Sequence, residues 1–195
     1  MTAVAELRVL VVCTANVSRS PLTAALLAHR LADAGIRSAA VSSAGLTTTR
    51  LPVDPAAVEV GLELGVDLAG HTPRRVTSAL ISASGAALVI GHTREHVRDL
   101  VMLDPSAWDR TFTLKELSRR VRSTRDEIRV APGRWRDAVG AARSRHDLLG
   151  IDASDDIADP YGRSIAAHRR VAADIDEQLA VLVDDLFRPV YAAVS

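Results

Sequence analysis

Leu7-Arg8-Val9-Leu10-Val11-Val12-Cys13-Thr14-Ala15-Asn16-Val17-Ser18-Arg19-Ser20-Pro21 is the stretch on which the reading of this chain turns. Its first half is a short apolar run rich in β-branched residues, the pattern of a buried strand in a parallel sheet. Its far end opens a helix. Ser20 is a good N-cap, Pro21 suits the first helical position, and Leu22, Ala25, Leu26 and His29 follow at helical spacing. Residues 13–19 are therefore expected to form a loop pinned between a strand end and a helix start. In such a place successive backbone N–H groups and the positive end of the helix dipole make an anion site.

The residue types in the loop point to phosphoryl chemistry. A thiol at a helix N-terminus and beside a cation is largely thiolate at neutral pH, and the thiolate is the nucleophile. Cys13 is the candidate nucleophile. Arg19 offers a planar fork of donors that can hold two phosphate oxygens and stabilise them in the transition state. The backbone of Thr14, Ala15, Asn16, Val17, Ser18 and Arg19 is expected to bind the remaining oxygens, and the Ser20 hydroxyl can donate to the sulfur. No Gly-x4-Gly-Lys-Ser/Thr occurs, so the loop is not a nucleotide P-loop. A buried cysteine beside a chance arginine is the plainer explanation, but it leaves the strand–loop–helix setting unaccounted for.

A second group lies far along the chain, in Asp156-Ile157-Ala158-Asp159-Pro160-Tyr161-Gly162. Cleavage of a phosphate ester by a thiolate needs a general acid, because a phenol leaving group has a pKa near ~10. Asp159, on a loop stiffened by Pro160, can protonate the departing oxygen and later take a proton from the attacking water. Taken alone, Asp-Pro-Tyr-Gly is a good turn. Joined to the Cys13 loop it completes a catalytic set.

With these motifs in view, the chain resembles a low-molecular-weight protein tyrosine phosphatase of bacterial type. That family's nucleophile loop reads Cys-x5-Arg-Ser and its acid sits in an Asp-Pro near the carboxyl end, matched here by Cys13, Arg19, Ser20 and Asp159-Pro160. Ser42-Ser43-Ala44-Gly45 matches the family's Ser-Ala-Gly after the second strand, and His71 falls where the family has a histidine. The resemblance implies that Asn16, Ser43 and His71 support the phosphate loop, that catalysis runs through a cysteinyl-phosphate, and that no cofactor or metal takes part. It implies phosphotyrosine protein or a small phosphomonoester as substrate. The chain departs from the family in several places. Ser18 replaces a second cysteine, Ala15 replaces a glycine, and Leu46-Thr47-Thr48-Thr49-Arg50 stands where many members have an aromatic wall. Only one tyrosine follows Asp159-Pro160. These departures bear on which phosphomonoester is preferred.

Composition narrows the rest. At 195 residues and 48% hydrophobic, the chain (1–195) suits one domain with a three-layer core. With 24 basic and 24 acidic residues there is no net field to recruit nucleic acid or a membrane surface. A single cysteine excludes an internal disulfide and suits a reducing compartment. Leu10-Val11-Val12 before Cys13 imitates a lipoprotein signal. However, Glu6 and Arg8 lie inside the apolar stretch and Val12 stands where a small residue is required. No run is long enough to span a bilayer. The expected location is cytoplasmic.

The order of elements predicts an α/β fold, a three-layer doubly wound sandwich around a four-stranded parallel sheet, flavodoxin-like in order. Further strands are expected at Ala39–Ser43, Ala87–Ile90 and Arg110–Leu114. Helices are expected from Asp54-Pro55 to near Gly65, over Thr93–Met102, and from Ser164 to Phe187. Residues 117–155 crowd Arg119, Arg120, Arg122, Arg125, Arg129, Arg134 and Arg136 together and read as a possible inserted helical segment. Its arginines are expected to form a solvated face with intrahelical ion pairs. His92-Thr93-Arg94-Glu95-His96 imitates a zinc-peptidase pattern, but with Thr93 as N-cap His92 falls outside the helix. His29, His146 and His168 read as surface positions. Two other functions fit the same residues: an arsenate reductase using an external small thiol, and a phosphate-binding module without catalysis. The presence of Cys13, Arg19 and Asp159 together argues against the latter.

Overall fold

In the computed structural model, which describes residues 7–47, 51–144, 146 and 153–193, the opening apolar run is a strand, β1 (Leu7–Cys13), buried from Val9 onward. It sits inside the sheet. β2 (Ala39–Gly45) pairs with it on one side and β3 (Leu88–Gly91) on the other, both parallel. β4 (Thr111–Thr113) lies beyond β3, so the four-stranded parallel sheet has the order β2-β1-β3-β4. This is the expected flavodoxin-like α/β arrangement.

Strand periodicity feeds two apolar layers. Val9 and Val11 face one side, with Leu26 and Leu31 of α1 (Arg19–Asp33), Leu117 and Val121 of α5 (Leu114–Val130), and Ile175 and Leu179 of α7 (Ile165–Val181). α2 (Pro55–Glu63) covers the same face. Leu10 and Val12 face the other side, against Ile81 of α3 (Ser78–Ile81) and Leu100 of α4 (Arg94–Leu103). Cys13 ends β1 opposite Gly45, while Val12 is opposite Gly91. The chain leaves β1 toward β2 and later returns to β3 on the other flank. Cys13 thus sits at the carboxyl end of the strand where the winding changes side, the usual ligand crevice of such sheets.

Several local expectations change in detail. Ser18, not Ser20, is the N-cap of α1, and Ser20 lies in its first turn with its hydroxyl turned to Cys13. β4 is shorter than Arg110–Leu114, because Arg110 closes a 3-10 turn (Pro105–Arg110) and Leu114 already belongs to α5. The last helix keeps Ser164 as its N-cap. After Val181 it widens into a π turn (Leu182–Phe187) and continues as α8 (Arg188–Ala192). His29 and His146 lie at the surface, but His168 does not. It is 3% exposed, and its Nε2 lies 3.1 Å from Oδ2 of Asp54, the residue that also caps α2 at Ala56 N–H. A polar face of α7 is buried there because it meets another buried polar group.

α5 contributes Leu117, Val121 and Ile128, all fully buried, to the main core, and α6 (Trp135–Gly140) adds Trp135 and Val139. The expected intrahelical pairing occurs at Arg120–Glu116, and Arg134, at the N-cap of α6, pairs with Asp137 in the first turn. Other arginines of the stretch reach across elements, as Arg119 to Asp155, Arg122 to Glu177 and Arg129 to Asp185. Residues 145 and 147–152 of the expected 117–155 segment, and Thr48, Thr49 and Arg50, which stand where many family members have an aromatic wall, lie outside the described residues.

Candidate active site

The loop after β1 folds as it does because its carbonyls are held by neighbouring peptides. The Cys13 carbonyl accepts from Leu46 N–H at 3.0 Å, the Thr14 carbonyl from Thr47 N–H at 2.8 Å and the Val17 carbonyl from Asp54 N–H at 2.8 Å. The N–H groups of Thr14, Ala15, Asn16, Val17 and Ser18 have no acceptor among the described residues. A loop with its carbonyls tied back and its N–H groups unclaimed, ahead of a helix N-terminus, has the chemistry of an anion nest.

Asn16 makes the turn possible and fixes it. Its φ of 60° is left-handed, a conformation Asn adopts more readily than most residues. The side chain is fully buried and every polar atom of the amide is used. Nδ2 donates to Ser20 Oγ at 2.9 Å and to Ser43 Oγ at 2.8 Å, while Oδ1 accepts from Arg74 N–H at 3.1 Å. His71 Nε2 is 3.1 Å from the same Oδ1 and 3.2 Å from the Asn16 carbonyl, so it carries a hydrogen there. Burial holds the His71 pKa below its ordinary value, the Asn16 carbonyl opposes this, and the Arg74 charge adds to the depression. Ser43 and His71, both expected at this loop, thus meet at one amide.

Ser20 receives that amide and passes the contact to the thiol. Its Oγ is 3.0 Å from Cys13 Sγ and 3.2 Å from the Ala44 carbonyl. With one lone pair filled by Asn16, the single hydroxyl hydrogen can point at the carbonyl or at a sulfur anion.

Arg19 is 5% exposed and reaches across the loop to the strap that carries the acid. Nη2 lies 2.7 Å from Asp159 Oδ2, and Nη1 donates to the Ile157 carbonyl at 3.3 Å. Asp159 itself is half exposed, and its Oδ1 accepts from Tyr161 N–H at 3.2 Å. The other acids of the strap are occupied elsewhere. Asp155 is buried against Arg94 and Arg119, and Asp156 accepts from Arg94 N–H at the start of α4. Ile157 N–H donates to the His92 carbonyl at 2.7 Å, which ties the strap to the end of β3.

The candidate residues, from Cys13 through Ser20 with Ser43, His71 and Asp159, are therefore joined in one hydrogen-bonded set around the loop after β1. Sequence reasoning passed over three others. Gly45 approaches the loop so closely that a Cβ would lie 2.8 Å from Ala15 C and 2.9 Å from Asn16 N. Its identity was visible in Ser-Ala-Gly, but that contact was not. His92 and His96 flank Thr93, which does cap α4 by accepting from His96 N–H. The zinc-like spacing is accidental, since both rings bond to residues around Cys13.

Comparison with known proteins agrees with this geometry. The family model for low molecular weight phosphotyrosine protein phosphatase matches residues 8–130. The "Probable low molecular weight protein-tyrosine-phosphatase EpsP" of Ralstonia solanacearum is 32% identical over 109 residues, covering 56% of this chain and 71% of that protein. A protein-arginine-phosphatase of Geobacillus stearothermophilus is 28% identical over 180 residues, 92% of this chain and 93% of its own length. Among solved structures, a YwlE mutant from Bacillus subtilis superposes with a TM-score of 0.68 at 25% identity, covering 93% of this chain and 99% of that one. A loop built around Cys13, Asn16 and Arg19, on this sheet and with these relatives, places the chain in the low molecular weight phosphotyrosine protein phosphatase family.

Proposed function

We propose that this phosphatase hydrolyses phosphorylated protein side chains through a cysteinyl-phosphate on Cys13, with Asp159 as acid and then base. The observation that carries the reading is the Cys13 loop itself, with unclaimed N–H groups, buried Arg19 beside them, and Asp159 at 2.7 Å from that cation. Oxyanion donors already in place need no reorganisation as charge develops.

The first step forms an S–P bond between Cys13 Sγ and phosphorus as the bond to the leaving oxygen breaks. Asp159 gives its proton to that oxygen, and Arg19 turns its fork from Asp159 to two equatorial oxygens. In the second step a water oxygen attacks phosphorus, Asp159 takes the water's proton, and the thiolate leaves as inorganic phosphate is released. Ser20, freed to point its hydrogen at sulfur, stabilises the thiolate at both ends of the cycle.

Phosphotyrosine is the substrate named for relatives that match about half of the chain. A second substrate reading has its own support, because the arginine phosphatase aligns over nearly the whole chain, through the strap bearing Asp159. There a P–N bond breaks and Asp159 protonates the departing guanidine nitrogen. A lone nucleophilic thiol stays reduced in the cytoplasm, and this supports a cytoplasmic location.

The test is turnover of para-nitrophenyl phosphate, a phosphotyrosine peptide and a phosphoarginine peptide by the same preparation, with Cys13→Ser as control. Turnover lost in the control, with a radiolabelled phosphoenzyme trapped by acid quench of the wild type, is the expected result. Wild-type rates in Cys13→Ser overturn the covalent mechanism, and thiol-dependent arsenate reduction without ester hydrolysis overturns the phosphatase reading.

A further inference from the structure

His92 and His96 stand at the turn between β3 and α4, and every ring nitrogen of the pair is engaged within the protein. His92 Nδ1 lies 3.0 Å from the Val12 carbonyl, the peptide just before the nucleophile. A carbonyl only accepts, so the ring hydrogen of the neutral imidazole sits on Nδ1 and Nε2 is left as the acceptor. Nε2 lies 2.8 Å from the Thr23 hydroxyl, whose single hydrogen goes either to this nitrogen or to the Arg19 carbonyl at 2.9 Å. His96 is bound in the opposite sense. Its Nδ1 accepts the backbone N–H of His92 at 3.3 Å, which puts the hydrogen on Nε2, and Nε2 donates to Thr14 Oγ1 at 3.1 Å. Thr14, the exposed residue after the nucleophile, thereby keeps its own hydroxyl hydrogen for the mouth of the site.

These contacts bracket the nucleophile. They fall on residues 12 and 14, on either side of Cys13. The amide of Asn16 grips the middle of the same loop from the β2 side, and the histidines grip its start from the β3 side.

We propose that His92 and His96 are positioning residues, neutral rings of opposite tautomer that set where the peptides on either side of Cys13 lie. They thereby set where the Cys13 thiol meets substrate. The proposal rests on the Cys13 loop being the phosphate site. The surroundings keep both rings neutral. Burial first, and the Arg19 charge second, hold His92 down at about 3 and His96 at about 4. Protonation would remove the acceptor nitrogen that each ring uses.

Two measurements test this. Nitrogen-15 NMR of histidine-labelled wild type is expected to show His92 protonated on Nδ1, His96 on Nε2, and neither titrating between about pH 5 and 8. Kinetics with para-nitrophenyl phosphate compare Thr14→Val, His96→Phe, the double variant and His96→Gln, whose amide can still reach Thr14. Each single loss of the Thr14–His96 bond should lower kcat about 10–100-fold with little change in KM, as sub-ångström misplacement of reacting groups does. The double variant should lose no more than the worse single, and His96→Gln should recover most of the rate. The opposite tautomers, a ring titrating near its ordinary value, or additive losses in the double variant would overturn the proposal. The NMR result holds whether or not the protein is a phosphatase. Retained activity in Cys13→Ser, by contrast, would remove only the functional reading.

Discussion

Asp159 Oδ2 and Arg19 Nη2 lie 2.7 Å apart, so the group proposed to protonate the leaving oxygen is paired with the cation proposed to hold the phosphate. A phosphate dianion and Asp159 compete for one guanidinium fork. Asp159→Asn should therefore tighten inhibition by phosphate and vanadate about two- to fivefold, the size of a partly exposed ion pair. Unchanged inhibition constants would mean that Arg19 serves both partners without exchange.

The same residue should show its role through leaving groups. In Asp159→Ala, an aryl phosphate with a strongly acidic phenol should lose little rate. A phosphotyrosine peptide should lose about 10²–10⁴-fold, the usual span of general acid catalysis. A plot of log kcat against leaving-group pKa is the measurement, and its slope should steepen in the variant. Equal losses throughout would make Asp159 structural. Asp155 and Asp156 are poor replacements, since each already has a partner on α4.

Arg19→Lys should fail almost as badly as Cys13→Ser in turnover but differ from it in binding. A lysine point charge cannot reproduce the fork or reach both Ile157 and the phosphate. Isothermal titration with vanadate should show affinity within about tenfold of wild type for Cys13→Ser, whose donors remain in place. For Arg19→Lys it should fall further.

Gly45→Ala should damage catalysis without touching any group that acts in it. The added methyl meets the backbone of Ala15 and Asn16, and Gly45 is fixed on its own side by bonds to Arg74 and Val76. The loop must therefore give way. We expect kcat reduced by about 10²-fold, in line with a small misplacement of the nucleophile, and a stability loss of about 1–3 kcal/mol from overpacking. Normal kcat with lowered stability would show that the loop is more compliant than its bonding suggests.

Stability should rise with pH through the weakly acidic range. His92 and His96 have folded pKa values of about 3 and 4 against 6.5 in the unfolded chain. Between those limits the unfolded chain binds more protons. Stability is then fully present above about pH 6.5 and is lost as pH falls, by up to ~1.4 kcal/mol per pH unit for each ring. Urea unfolding at pH 5.0 to 7.0 should give a shallower slope in His96→Gln, by close to one proton near pH 5 and by little near pH 7. An identical slope in the variant would show that His96 does not stay neutral in the fold.

The parts of this protein that could be read from the sequence are those carried by neighbours in the chain. The strand before Cys13, the Thr93 cap and the Asp54-Pro55 helix start are decided within a few residues, and the structure keeps them. The Cys13 loop was legible for the same reason, since its strand, turn and helix are contiguous. What escaped notice depends on pairing between distant elements. His92 reaches Val12 only because β3 lies parallel to β1 with Gly91 opposite Val12. His168 looks like a surface residue until α7 is laid against α2 and Asp54. Arg119 and Arg129 lie on a helix with acids at hand, yet they pair with Asp155 and Asp185 on other elements.

The single peptide of Ile157, donating to His92 and accepting from Arg19, also sets an order of assembly. Everything that shapes the anion loop lies at or before His96, whereas the strap and α7 follow much later in the chain. During synthesis, when the amino-terminal part leaves the ribosome first, the nucleophile and its braces emerge well before the acid. The core under β1 is closed by α5 and α7, which also come later, so the loop gains its backing and its link to Ile157 in the same late stretch of synthesis.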